Sequence, residues 1–132
     1  MIIGAAPDYL TSRSTPVHAN ELSDFEFVAF APTADVPFQL SKGDEMITVN
    51  PNSMIKVNNG HALLNAARAG LGLIRQPEVL LKADIENGQL VRLLPDWSLQ
   101  ERQVSLLYHR DIHMTPRLRS FINFAIQEFR QP

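Results

Sequence analysis

Hydrophobic and polar positions alternate along the first half of the chain with the short period of β-strands. Residues 25–30, FEFVAF, alternate as a half-buried strand does. Similar runs predict further strands, at 2–3, 37–41, 45–50 and 54–57. After the strand at 2–3, APDYL predicts a short helix with Pro7 in its first turn, where the missing N–H is tolerated. The polar segment 11–20 and the proline-bounded APTADVP predict loops.

The middle of the chain changes to the helical period. Asn58 or Asn59 can cap this helix, because a short side-chain oxygen accepts an N–H of the first turn. Leu63, Leu64 and Ala67 then fall on one face, and Gly70 is expected in a left-handed conformation at the end. A strand over 71–75 follows at once. Strand, helix and strand with short joins are typical of a crossover unit in a parallel sheet.

The last third of the chain predicts a short helix after Pro77, a turn at Asn87 and Gly88, and strands at 90–93 and 103–109. The strongest helix signal closes the chain. Thr115 is placed to cap this helix and Pro116 to occupy its first position. Its apolar residues recur at helical spacing: Leu118, Phe121, Ile122, Ala125 and Phe129.

Phe124 and Ile126 widen the apolar arc of this last helix beyond what one packed face needs. Two interpretations remain open. The helix is a well-buried terminal element, or it packs against structure that these residues do not contain. In the second case the helix leaves apolar surface uncovered, which predicts self-association.

Composition limits the class of protein. The chain has 132 residues, the size of one domain, with 45% hydrophobic and 20% charged residues and a formal net charge of −2. This balance gives no reason to expect attraction to nucleic acid or to a membrane. The absence of cysteine excludes disulfides and thiolate sites. Since the sequence shows neither a membrane span nor a signal peptide, we expect a soluble cytoplasmic protein.

Two motifs that suggest chemistry are better explained otherwise. A phosphate-binding G-x-G-x-x-G follows a strand and opens a helix, whereas Gly70 and Gly72 follow a helix and open a strand. Gly72 is therefore expected to let the new strand pass close to its neighbour. HRDIH, with His109, Asp111 and His113, lies in a predicted loop, so its histidines need not share a face as metal ligands do.

We accordingly predict no metal site, no cofactor and no catalytic residues. No nucleophile motif and no paired carboxylates are recognisable in the sequence. His18 and His61 are isolated and are expected on the surface.

A ligand site is most plausible where the Asn58 helix begins. Helix N-termini present unpaired N–H groups that suit a carboxylate or another anion. The loop 30–34, FAPTA, follows a strand, and open α/β sheets bind ligands at the carboxyl ends of their strands. Thr33 is able to donate one hydrogen bond there.

Four segments, in this order, resemble the effector-binding domain of LysR-type transcriptional regulators: APDYL, VNNGHALLNAARAGLGLIRQPEVLL, IENGQLVRLLPDW and SLLYHRDIHMTPRLRSFINFAIQEF. The resemblance covers essentially the whole chain. It departs from the family pattern at residues 73–76, LIRQ, where Arg75 puts a charge at a normally apolar join, and at His109, where the family often has proline.

The resemblance implies a periplasmic-binding-protein-like (type II) α/β fold, present as a partial domain with a mixed sheet flanked by helices. Residues 1–95 would form lobe two, and residues 96–132 the strand and helix that return to an incomplete lobe one. The winged helix-turn-helix, the linker helix and the first half of lobe one are absent from these residues. The last helix would then have its partners in that missing half.

The function that the resemblance implies is sensing. A small metabolite, often anionic, binds in the cleft between the lobes and changes DNA binding by a dimer or tetramer, with DNA contacted only through the absent N-terminal domain. Carried over by position, the effector-binding residues would be Phe30, Ala31, Pro32, Thr33, Val57, Asn58 and Asn59. A free-standing solute-binding protein of the same fold and a small α/β enzyme using His109 or His113 are the alternatives.

Overall fold

The computed structural model describes residues 1–100, 105–109 and 114–129. The chain divides into two compact units, Met1–Glu101 and Arg102–Pro132, and each is described by itself. The first unit contains both strands and helices, which confirms the predicted α/β class.

The strands are β1 Ile2–Ala5, β2 Glu26–Phe30, β3 Phe38–Lys42, β4 Glu45–Val49, β5 Asn52–Val57, β6 Ile74–Gln76, β7 Val91–Leu93 and β8 Ser98–Leu99. The α-helices are α1 Pro7–Thr11, α2 Gly60–Arg68, α3 Glu78–Glu86 and α4 Pro116–Phe129. Short 3₁₀ turns lie at Ala19–Asp24 and Ala31–Thr33. Most of these elements were predicted within a few residues, but the 3₁₀ turn at Ala19–Asp24 and strand β8 were not.

The main sheet contains β1, β2, β5, β6 and β7, and four of these five strands run in the same direction. β1 lies between β6 and β7 and is antiparallel to both, while β2 and β5 are parallel partners. A bridge from Phe27 to Leu73 joins the two ladders, because Val28 N–H donates to Leu73 O (2.9 Å) and Leu73 N–H donates to Glu26 O (2.8 Å). β2, β5, β6 and β7 therefore run in the same direction, and their carboxyl ends meet at one edge. This arrangement confirms the predicted crossover from β5 through α2 to β6.

A second sheet packs beside the first. β3 pairs with β4 along its whole length and with β8 at Leu40–Leu99 and Ser41–Ser98. Buried side chains on this side of the main sheet form the larger core cluster, which includes Phe27, Phe38 and Trp97. On the other side, α2 and α3 cover a smaller cluster that includes Val28, Leu63 and Leu81.

Two glycines fix the passage from α2 into β6. Gly70 has φ +74°, and its N–H donates to Ala67 O, which is the predicted left-handed helix end. A Cβ atom on Gly72 would lie 2.7 Å from Glu26 O. Only glycine permits this approach of backbone to backbone, so the close packing predicted for this residue is confirmed.

An ion pair joins α2 to α3. Arg68 donates to Asp84 through Nε (2.9 Å) and through its terminal nitrogen (3.0 Å), while Asp84 is 3% exposed. Bidentate geometry of this kind is what makes a buried carboxylate tolerable. The pair therefore fixes how the two helices sit on the sheet.

His18 is not the isolated surface residue that the sequence suggested. Its side chain caps the 3₁₀ turn at Ala19–Asp24, and Glu21 accepts a hydrogen bond from its backbone N–H (3.0 Å). The ring Nε2 lies 2.9 Å from Glu45 Oε1, and the ring packs edge-on against Trp97. The predicted isolation was wrong because Glu45 and Trp97 are distant in sequence, while the 35% exposure of the side chain agrees with a surface position.

The second unit is described at residues 105–109 and 114–129. The strand expected over 103–109 is absent at 105–109. These residues pair with no strand of the described ranges, and a β-strand forms only when it is hydrogen-bonded to a neighbouring strand. Helix α4 begins as predicted, since Leu118 N–H donates to Thr115 Oγ1 (3.3 Å). No helix in the described ranges, α4 included, is long and apolar enough to cross a membrane.

The broad apolar arc of α4 is mostly exposed. Ile122 is 6% exposed, whereas Phe121 is 57%, Phe124 59% and Ile126 44% exposed. The interpretation of α4 as a well-buried terminal helix is therefore wrong. Most of its apolar arc is left uncovered by the residues that the structure describes.

Candidate functional site

The carboxyl edge of the main sheet brings the predicted effector-binding residues together. β2 ends at Phe30 and β5 ends at Val57, and these two residues are direct partners in the parallel ladder. The segments that continue from them, 31–33 and 58–59, therefore start side by side. Such an edge is where open α/β sheets present loops to a ligand.

The segment after β2 turns sharply. Ala31–Thr33 form a 3₁₀ turn in which Ala31 and Pro32 are exposed and Phe30 is 38% exposed. The Thr33 hydroxyl donates to Phe30 O (3.4 Å) within this turn. The hydroxyl oxygen is thus better placed to accept a ligand hydrogen bond than to donate one, which differs from the sequence expectation.

The segment after β5 caps helix α2. Asn59 Oδ1 accepts from the backbone N–H groups of His61 (2.8 Å) and Ala62 (3.3 Å), so Asn59 is the cap. Asn58 and His61 are exposed. The cap uses these two donors, so a ligand anion at this end of the helix would need other groups as well.

A charged pair that sequence reasoning missed joins the end of β5 to the loop that follows β2. Lys56 Nζ is 2.7 Å from Asp35 Oδ2. Lys56 is the ladder partner of Ala29, one residue before the Phe30–Val57 pair. The sequence places a lysine and an aspartate near two predicted chain reversals, but no local pattern indicates that the two side chains form an ion pair.

The loop that carries Asp35 is anchored independently of that pair. Ala34 is 1% exposed, and its carbonyl oxygen accepts from Ser53 Oγ at 2.6 Å. Val36 N–H donates to Thr33 O (3.3 Å). The loop backbone is thus held on both sides of Asp35.

Arg75, the charge at a normally apolar join, lies on the side of the main sheet that carries the larger core cluster. It pairs with Ile3 in the β1–β6 ladder, and its guanidinium carbon is 4.2 Å from the centre of the Phe38 ring. This distance suits a cation–π contact. The side chain therefore covers an aromatic residue of the larger core cluster, which explains how a charge is tolerated at this position.

The HRDIH motif is only partly described. His109 is exposed, and Asp111 and His113 lie outside the described residues. Among residues that the structure describes, no group of three or more His, Asp or Glu side chains could hold a metal ion.

Comparisons with known proteins agree on one family. The model of the LysR substrate-binding domain matches residues 1–130. The uncharacterized HTH-type transcriptional regulator YhjC of Escherichia coli strain K12 is 25% identical over 127 residues, which are 94% of this chain and 42% of that regulator. The chain thus spans less than half of this curated relative.

Solved structures give the same result. The full-length virulence activator AphB of Vibrio cholerae aligns with a TM-score of 0.80 and 30% identity, covering 96% of this chain and 44% of that one. The regulatory domain of AphB from Vibrio vulnificus, treated with cumene hydroperoxide, aligns with a TM-score of 0.77 and 30% identity, covering 96% and 64%.

The sheet order, with β1 antiparallel among parallel neighbours, fits the type II periplasmic-binding-protein-like fold of these regulatory domains. With the family model matched along nearly its whole length, the chain belongs to the LysR substrate-binding domain family.

Proposed function

We propose that the chain is the effector-sensing part of a LysR-type transcriptional regulator and binds a small anionic metabolite at the carboxyl edge of β2 and β5. The effector-binding residues would be Phe30, Ala31, Pro32, Thr33, Val57, Asn58 and Asn59. The single observation that carries this proposal is the pairing of Phe30 with Val57, which makes two exposed segments adjacent at one sheet edge.

The lobe assignment is part of the same proposal. Residues 1–95 would form lobe two of the effector domain, and residues 96–132 would return to lobe one. The exposed phenylalanines of α4 support this assignment, because an apolar arc of this width needs a cover. The rest of lobe one is the cover that we propose.

The working state would be a homo-oligomer in the cytoplasm, with DNA bound by a separate winged helix-turn-helix domain. Effector binding between the lobes would shift the equilibrium between two arrangements of that oligomer, by as much as the effector's affinities for them differ. The named roles of the relatives as transcriptional regulators support this part of the proposal.

The test is a titration of the ¹⁵N-labelled 132-residue chain with acetate, succinate and benzoate, followed by backbone amide chemical shifts. We expect saturable shifts at residues 30–33 and 57–59, with dissociation constants of about 1 mM, since one lobe offers part of the contacts.

Two matched variants show whether the site is at this edge. Ala31→Trp places a bulky side chain on the exposed turn, and Ala69→Trp places the same side chain at the exposed far end of α2. We expect loss of binding in the first variant and wild-type binding in the second. Equal binding in both variants, or shifts confined to other parts of the chain, would contradict the proposal.

A further inference from the structure

Lys56 lies one residue before the end of β5, with its side chain on the face of the sheet opposite to those of Phe30 and Val57. Its ladder partner Ala29 immediately precedes Phe30, and Lys56 itself immediately precedes Val57. Paired residues in a ladder point to the same face of a sheet, so the lysine side chain lies beside a residue that ends at a methyl group. Ala29 therefore places no bulky side chain beside the base of the Lys56 side chain.

A carboxylate of the protein already uses this ammonium group. Asp35 Oδ2 is 2.7 Å from Lys56 Nζ, with the side chains 75% and 45% exposed respectively. Exposed pairs of this kind contribute little to stability. An incoming carboxylate with further contacts to the site can replace Asp35 at small cost.

The replacement does not require the loop to unfold. Ser53 Oγ and the burial of Ala34 hold the backbone just before Asp35, and the Val36 N–H bond to Thr33 O holds it just after. Rotation of the Asp35 side chain is sufficient. One carboxylate then substitutes for another, so Lys56 is never left without a counter-charge.

We propose that Lys56 is the counterion of the effector's anionic group and that Asp35 is an internal competitor for the same position. This inference rests on the proposed function and adds to it the chemistry of recognition. A neutral molecule of the same shape replaces Asp35 less readily, because it does not compensate the lysine charge. Lys56 thus selects anions, and Asp35 sets the concentration at which they bind.

The chain offers a matched control for this pair. Lys42 Nζ lies 3.6 Å from Asp96 Oδ2, and these side chains are 51% and 76% exposed. Lys42 ends β3 in the second sheet, where its ladder partner is Glu45. The variants Lys56→Gln and Lys42→Gln remove one positive charge each from ion pairs of similar exposure, and Asp35→Asn and Asp96→Asn remove one negative charge each.

The experiment is the amide titration with succinate and with succinamide, its neutral analogue, at ionic strength kept constant with KCl. We expect Lys56→Gln to weaken succinate binding about tenfold, the effect of losing a hydrogen bond to a charged group. Asp35→Asn should tighten it about threefold, since the competing pair is removed. Both control variants should bind succinate within a factor of about two of wild type, as exposed charges at a distance are screened.

The outcomes separate the inference from the proposed function. If succinate binds at residues 30–33 and 57–59 equally well in Lys56→Gln, or if Asp35→Asn weakens binding, the inference is overturned and the site stands. Equal losses in Lys56→Gln and Lys42→Gln would also overturn it, because they would indicate general attraction of charge. If no probe shifts these amides in the wild type, the proposed function fails as well.

Discussion

Helices α2 and α4 are built from similar sequence patterns and have opposite environments. Both have a polar cap, Asn59 and Thr115, and both carry an apolar stripe. In α2 the stripe is covered by the main sheet, and Leu63 is 1% exposed. In α4 Phe121 and Phe124 are more than half exposed.

The difference teaches what an amphipathic pattern can predict. The stripe predicts that a helix face needs a cover, because exposed apolar surface is unfavourable in water. It does not say which structure provides the cover. For α2, the residues that cover the stripe lie within tens of positions along the chain. For α4, the described residues cover little of the stripe beyond Ile122.

The largest effect should follow from Leu63→Ala. This substitution leaves a cavity between α2 and the sheet, and we expect a loss of about 3 kcal/mol in the free energy of unfolding. Urea denaturation followed by circular dichroism measures it. A loss below about 1 kcal/mol would mean that α2 is packed less tightly than its burial indicates.

An intermediate effect is expected for Arg68→Ala. The change leaves the buried Asp84 carboxylate without its two charged hydrogen bonds and should cost about 2 kcal/mol. The double variant Arg68→Ala/Asp84→Ala is the control, since it removes both charges. If the double variant is no more stable than Arg68→Ala alone, the charge of Asp84 is not the cause.

The smallest effect should come from Phe124→Ser on α4. An exposed side chain away from special features changes stability by about 0.5 kcal/mol or less, despite the larger volume removed. The same urea titration compares it directly with Leu63→Ala. A loss as large as that of Leu63→Ala would show that this part of α4 is covered in solution, and sedimentation velocity would then reveal whether a second copy covers it.

The parts of the fold that local chemistry dictates were predictable. The cap at Asn59 and the left-handed Gly70 depend on residues near them in sequence, whereas the close approach at Gly72 is to the distant Glu26 and was indicated by the glycine alone. Strand β8 was missed because its two residues are a strand only through pairing with β3. The strand expected over 103–109 fails at 105–109 for the converse reason, since an apolar run without a partner forms no ladder.

The candidate site was predictable in outline and not in its charges. The sequence places loops after β2 and β5, and parallel pairing makes them neighbours. The register shift between Phe27 and Val28 then decides that Lys56, and not Ile55, stands opposite Ala29. A slip of one residue exchanges the faces of a strand, so the meeting of Lys56 with Asp35 follows from an irregularity that no local pattern reveals.

The cap that Asn59 places on helix α2 has a consequence for how binding preference can change over evolution. With the backbone donors of His61 and Ala62 already satisfied by the chain itself, these two groups are not available to a visiting molecule. Under the proposed function, preference would then depend more on individual side chains around the rim, each of which a single codon change can replace. Such changes would alter the preferred ligand without altering a main-chain hydrogen bond.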